Sequence, residues 1–148
     1  MADFIADWTP FTFDTTVKFE ELEWIVHCDG AWDTASIGVS AILTQPSGSR
    51  LWYAARLEFL SMNNIAEYEA MLLGLWKLRA LRIRRCIIKS DSQVIVGHIE
   101  KNFVAKEPKL VRYLVAIRRM EKHFTGFSLH HIPRNENAEA DELAKAAA

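Results

Sequence analysis

Trp24-Ile25-Val26-His27-Cys28-Asp29-Gly30 is the stretch on which the fold turns. It is a short, nearly continuous apolar run closed by an acid and a glycine. A half-buried strand would alternate apolar and polar residues. This one offers almost no polar side, so it is predicted to lie mid-sheet, buried on both faces. Working outward, residues 1–22 show no clear period and read as a leader or linker, in which Phe4, Ile5 and Trp8 would form one apolar helical turn docked on the domain. Downstream, Ile37, Val39, Ala41 and Leu43 recur at every second position, and so do Leu51, Tyr53, Ala55, Leu57 and Phe59. Between the two sets lies a turn cluster, Gln45-Pro46-Ser47-Gly48-Ser49, so the first three strands are expected to form an antiparallel meander.

The repeat then lengthens from about 2 residues to about 3.6. Tyr68, Met71, Leu72, Leu75 and Leu78 fall at helical spacing behind the start signal Asn63-Asn64. Cys86-Ile87-Ile88 reads as a short buried strand closed by Ser90-Asp91, with a brief helix following through Val94, Ile95 and Ile99. Pro108 suits the first turn of another helix, with Leu110, Tyr113, Leu114 and Ile117 on one face. Phe127, Leu129 and His131 alternate in a last strand that Pro133 stops. Asn137 then caps a terminal helix with Ala140, Leu143, Ala144 and Ala147 as its apolar face. The expected order is βββαβααβα, an α/β domain over residues 23–148. Its five-stranded mixed sheet opens with the meander and carries helices on both faces.

At 148 residues, half of them apolar and a quarter charged, the chain suits one globular domain. Such a chain buries about two-thirds of its unfolded surface and needs no disulfides. Cys28 and Cys86 show no CxxC spacing and sit in apolar runs, so they read as reduced core thiols in an intracellular, reducing compartment. The N-terminus has no basic leader of the secretory kind, and no apolar run approaches the length of a bilayer span. A net charge of −1 argues against holding nucleic acid by bulk electrostatics. Two local basic clusters, Arg79, Arg82, Arg84 and Arg85, and Arg112, Arg118, Arg119 and Lys122, read first as solvated helix ends and only second as binding patches.

Four acids carry the chemistry, and each has a plain structural reading. Asp29-Gly30 is a hairpin turn signal. Glu67, three residues after Asn64, is close to a capping box. Asp91 opens a helix and can serve as its N-cap. Asp141 lies on the rim of the last helix, where acids commonly face solvent. Their placement changes the weighting. Asp29 and Asp91 both end apolar strands, and if those strands are parallel neighbours both carboxylates emerge at one carboxyl edge, where ligand crevices form. Glu67 from the following helix and Asp141 from the terminal one can reach the same edge. Acids so gathered repel one another unless a counter-ion joins them. Oxygen ligands with open positions suit Mg²⁺ or Mn²⁺.

The segments His27-Cys28-Asp29-Gly30-Ala31, Asn63-Asn64-Ile65-Ala66-Glu67-Tyr68, Ser90-Asp91-Ser92-Gln93 and Ile132-Pro133-Arg134-Asn135-Glu136-Asn137-Ala138-Glu139-Ala140-Asp141-Glu142-Leu143-Ala144 resemble the four signature blocks of type 1 ribonuclease H, in the family's order. The resemblance covers residues 23–148 and implies a ribonuclease H-like fold. Within the family the chain is most similar to the compact domain of archaea and of plant gypsy-class retrotransposon polyproteins. Its leader, Ala2-Asp3-Phe4-Ile5-Ala6-Asp7-Trp8-Thr9-Pro10, resembles a polyprotein linker.

The resemblance implies that Asp29, Glu67, Asp91 and Asp141 hold two Mg²⁺ ions about 3.5–4 Å apart, Asp29 bridging them, and that the RNA strand of an RNA–DNA hybrid is cut to a 5′-phosphate and a 3′-hydroxyl. Asn63, Asn64 and Gln93 would offer amides to 2′-hydroxyls and minor-groove base edges, with capping the plain alternative for the asparagines. Arg134 would stand where the bacterial branch has a flexible histidine that helps product leave, and His131 is its rival. The implied partners are the hybrid and a reverse transcriptase module of the same polyprotein.

Two departures from the bacterial branch stand out. Its Gly-rich turn is replaced by Ala31-Trp32-Asp33-Thr34-Ala35-Ser36, and its basic protruding helix is missing, since Lys101 to Pro108 is short and near neutral. Both imply weak intrinsic hybrid affinity, with substrate delivered by a fused or partner module. The rival readings are a catalytically silent nucleic-acid-binding module on the same fold, and an exonuclease or integrase relative, which would lack the Asn-Asn-x-Ala-Glu-Tyr block.

Overall fold

The computed structural model describes residues 22–33, 36–58, 63–100 and 108–148. The expected apolar turn of Phe4, Ile5 and Trp8, the position of Phe59 and the short 101–107 stretch lie outside the described residues. Among the described residues there are five strands, β1 (Trp24–Trp32), β2 (Ile37–Thr44), β3 (Arg50–Leu57), β4 (Arg85–Ser90) and β5 (Gly126–His131), and four α-helices, α1 (Asn63–Ala80), α2 (Gln93–Glu100), α3 (Pro108–Glu121) and α4 (Ala138–Ala147). The order is the expected βββαβααβα. The sheet runs β3-β2-β1-β4-β5, antiparallel across the meander and parallel from β1 to β4 and from β4 to β5. No helix among the described residues is long and apolar enough to cross a membrane.

Periodicity explains which side chains make the core. β2 is buried along almost its whole length because both its faces are covered. Ala41 lies under α1 beside Gly74, while the Ser40 hydroxyl, on the other face, donates to the Ala140 carbonyl of α4 at 2.6 Å. At the edge, β3 alternates, with Leu51, Tyr53, Ala55 and Leu57 half-buried and Trp52 exposed. From α1, Tyr68, Met71, Leu75 and Leu78 are fully buried, and Ile88, Ile95, Ile117 and Leu129 extend the core under the parallel strands.

Two glycines set how closely helices approach. A Cβ on Gly30 would lie 2.5 Å from the Ala66 carbonyl carbon of α1, and one on Gly38 would lie 2.0 Å from the Ala144 carbonyl oxygen of α4. Absence of a side chain therefore lets α1 and α4 press against opposite faces of the sheet.

The structure corrects three local readings. Asp29-Gly30 is no turn. β1 continues to Trp32, Asp29 pairs with Ser40 in the ladder, and the hairpin closes later through the Asp33 N–H to the Ser36 carbonyl at 2.8 Å. Gly30 serves clearance rather than turn geometry. Glu67 lies past the first turn of α1 and accepts from the Gly30 N–H of β1, so it completes no capping box. Asn137 occupies the N-cap position of α4, yet its side chain makes no capping bond there.

Candidate active site

Strand pairing builds the centre of the site. In the parallel pair β1–β4, Trp24 is level with Cys86 and His27 with Lys89. Continuing that register by two residues brings Asp29 level with Asp91 at the carboxyl edge, as the apolar runs predicted. Glu67 arrives from α1, with its Oε1 accepting from the Gly30 N–H at 3.2 Å. One carboxylate oxygen from each of Asp29, Glu67 and Asp91 lies within 4.8 Å of the others. Asp141, from α4, hydrogen-bonds to Asp29, and its Oδ2 pairs with Lys145 Nζ at 2.9 Å. All four predicted acids meet, three within the reach of one cation and the fourth on their flank. Asp29, Glu67 and Asp141 open into a cavity of about 250 Å³ whose wall also includes Arg134, Lys145 and Trp32.

Burial and mutual repulsion dominate the electrostatics. Asp29 is only 4% exposed. Desolvation first, then the charges of Glu67 and Asp91, push its carboxyl up to about 9. Burial likewise raises Glu67 to about 7, against the lowering effect of hydrogen bonds from Asp29 and Gly30. Asp141, more open, is held below the ordinary carboxylate range by its bond to Lys145. The second oxygen of Glu67 is buried with no hydrogen-bond partner. An unpartnered buried carboxylate oxygen is costly. With Asp29 and Asp91 beside it, Glu67 suits a cation, and an all-oxygen donor set fits a hard divalent ion.

Stability should therefore depend on pH when no metal is present. Asp29 and Glu67 keep their protons in the folded chain at pH values where the unfolded chain has lost them, so stability is full below about pH 4 for these groups and is lost as pH rises through about 7 and about 9. In EDTA the melting temperature is expected to fall from pH 5 to pH 9. Mg²⁺ should raise it more at pH 8 than at pH 6. Melting curves at both pH values check this, and a metal-free Tm that climbs with pH would contradict the buried-acid account.

Of the other expected site residues, Arg134 is exposed in a 3-10 turn, Arg134–Glu136, and lines the cavity, whereas His131 is exposed at the end of β5, away from its wall. Gln93 is exposed as the first residue of α2, two positions beyond Asp91. Asn63 and Asn64 open α1, and their side chains lie outside the described set. The basic cluster around Arg84 and Arg85 sits at the amino end of β4, a strand's length of roughly 20 Å from Asp91. The cluster at Arg118 and Arg119 ends α3, where cations favour the helix dipole. Neither cluster lines the cavity.

Sequence reasoning missed Lys145, although its spacing of four from Asp141 was the available signal. It also missed the bond by which Asn137 Nδ2 donates to the Cys28 carbonyl at 3.0 Å, across 109 positions of sequence. That buried bond ties the start of α4 to the residue before Asp29. Asn137→Ala leaves the carbonyl unpaired and is expected to cost about 2 kcal/mol and to weaken Mg²⁺ binding through a displaced Asp141. Thermal melts with a Mg²⁺ titration check it. Unchanged metal affinity would confine Asn137 to stability.

Residues 27–147 match the family described as reverse transcriptase-like. The Enterococcus faecalis protein EbsB is 33% identical over 87 residues, 57% of this chain and 64% of that protein. Ribonuclease HI of Halobacterium salinarum is 31% identical over 85 residues, 57% of this chain and 43% of that protein. This chain thus spans 43% to 64% of the length of these relatives. The crystal structure of RNase H1 from the same archaeon superposes with a TM-score of 0.80 at 25% identity, covering 85% of this chain and 97% of that one. LC11-RNase H1, from a compost metagenome and solved with an RNA/DNA hybrid, gives a TM-score of 0.76 at 27% identity over 84% of this chain and 95% of that one.

Proposed function

The chain belongs to the reverse transcriptase-like family, and from that membership we propose that it is a type 1 ribonuclease H domain hydrolysing the RNA strand of RNA–DNA hybrids. One observation carries the proposal. Asp29, Glu67 and Asp91 converge within 4.8 Å, and a buried Glu67 oxygen among them has no partner. Likeness to a ribonuclease H1 solved with a hybrid supports the substrate class.

Asp29, Glu67 and Asp91, with Asp141 on the flank, would hold Mg²⁺ or Mn²⁺, and a pair of such ions is the arrangement the four acids suit best. A cation held there would supply Lewis-acid polarisation of the scissile phosphate and a lowered pKa for a coordinated water. The chain's own residues do the rest. The Gly30 amide aims Glu67. Arg134 and Lys145 place positive charge on the cavity wall, where phosphate oxygens would otherwise meet only acids. Arg134 would also help product leave, as the motif resemblance implies. Asn63, Asn64 and Gln93 open the two helices that flank the acids, suiting contacts to 2′-hydroxyls.

A retrotransposon polyprotein is the proposed setting, with a reverse transcriptase module as neighbour. The motif resemblance supports it, and the near-neutral net charge fits a domain that receives its substrate from a partner. The free, buried thiols of Cys28 and Cys86 support an intracellular environment.

The test is incubation with Mg²⁺ and end-labelled RNA–DNA hybrid, duplex DNA or duplex RNA. Cleavage of the hybrid's RNA strand alone is expected. Cleavage of duplex DNA, or no cleavage of any substrate, would overturn the proposal.

A further inference from the structure

We propose that Trp32 is a substrate contact, its indole packing on the ribose of an RNA nucleotide that flanks the scissile position and so helping to set where the cut falls. The inference rests on the hybrid-cleaving reading and adds a residue which that reading does not require.

Trp32 is the last residue of β1, three positions beyond Asp29, and its backbone is paired with Ile37 in the hairpin ladder. The preceding side chains on its face of the strand, Trp24, Val26 and Cys28, are buried, whereas Trp32 is 49% exposed. A single exposed aromatic is ordinary on a protein surface. What distinguishes this one is its neighbourhood, for it stands on the wall of the same cavity as Asp29, Glu67 and Asp141, with Arg134 and Lys145.

Cations beside an aromatic match the two chemistries of a nucleic-acid strand. Arg134 and Lys145 suit phosphate oxygens, which alternate along the strand with sugars. The bases of a hybrid are stacked, so their faces are closed to protein. The wide minor groove instead presents riboses and 2′-hydroxyls. A flat apolar ring can lie on a sugar, and the indole N–H, a donor only, can meet a 2′-oxygen.

Geometry decides which nucleotide is met. Three strand residues span about 10 Å, and the nucleotides of each strand of a duplex follow one another every ~3.4 Å along its axis. Trp32 therefore meets a nucleotide some two or three positions from the one being cut. With its backbone fixed in the ladder, only two side-chain torsions remain to be ordered, so little entropy opposes the contact.

The experiment compares wild type with Trp32→Ala, Trp32→Leu and Trp32→Phe on one end-labelled hybrid in Mg²⁺, reading KM, kcat, the ladder of cut positions and the Tm of each protein. Trp32→Ala is expected to raise KM about tenfold, in line with losing one aromatic contact to nucleic acid. Its cuts should spread over more positions, with kcat and Tm close to wild type. Trp32→Leu keeps an apolar side chain for the fold but no flat ring, and should behave as Trp32→Ala does. Trp32→Phe should restore most of the affinity. A wild type that cuts no hybrid would defeat the cleavage reading itself. A wild type that cuts, beside a Trp32→Leu protein with the same KM and the same ladder, would defeat only the role given to Trp32.

Discussion

Asp29→Asn is expected to abolish hydrolysis of the hybrid's RNA strand while leaving the metal-free protein as stable as wild type or more so. Asp29 stands at the centre of the acid group, its carboxyl hydrogen-bonded to both Glu67 and Asp141 and repelled by Asp91. Losing a group that merely supports a metal ligand typically costs 10- to 100-fold in affinity or activity, so losing a central ligand should cost more than about a hundredfold. Stability should move the other way. At pH 8 the wild-type site must either keep a proton against solvent or hold buried like charges together, and a neutral amide of the same shape does neither. Activity on the hybrid, with melting curves in EDTA at pH 8, measures both halves. A variant retaining more than a tenth of wild-type activity would remove Asp29 from the chemistry. A Tm well below wild type would make Asp29 a structural residue instead.

Gly38→Ala should have the largest effect on the fold. Its new methyl group would fall 2.0 Å from the Ala144 carbonyl oxygen and 2.5 Å from the Ala148 amide nitrogen. Both are backbone atoms of the α4 end, so no side chain can swing aside and the helix itself must lift. Overpacking of this kind costs about 3 kcal/mol, on the order of 10 °C in Tm for a domain of this size. Because α4 also carries Asp141, metal affinity should fall together with stability. Melting curves with a Mg²⁺ titration test the pairing. A Gly38→Ala protein with wild-type Tm would show that α4 can shift at little cost.

These two residues mark how much could be read from the chain. Asp29 and Asp91 were legible as a pair because each closes an apolar run long enough to be a buried strand, and parallel neighbours bring such ends together. Tyr68, Met71, Leu75 and Leu78 were legible because helical spacing is a local property, and all four are fully buried. Gly38 was not legible. Nothing near it in sequence says that a helix some hundred residues later will press on it, and Gly30 was misread for the same reason as part of a turn. Asn137 was placed at the right helix terminus with the wrong bond, since capping is the local default and the competing acceptor, the Cys28 carbonyl, belongs to a distant strand. Asp141 was seen as a member of the group, but its partner Lys145 was not, although the two form an ion pair one helical turn apart. The rule is physical. Patterns that one element imposes on itself can be read, while clearances and tethers between elements appear only when both are in place.

β1 is hydrogen-bonded on both sides, to β2 and to β4, whereas α4 holds its position by close packing, the Ser40 bond, the Asn137 tether and the exposed links of Glu139 to Arg50 and Trp52. The acid group therefore has a rigid half and a half that can open. In local fluctuations short of global unfolding, amide exchange should reach the turns around Asp141 before it reaches the rungs around Asp29. Warming would then draw the fourth acid away first, and the acid group would come apart before the domain melts.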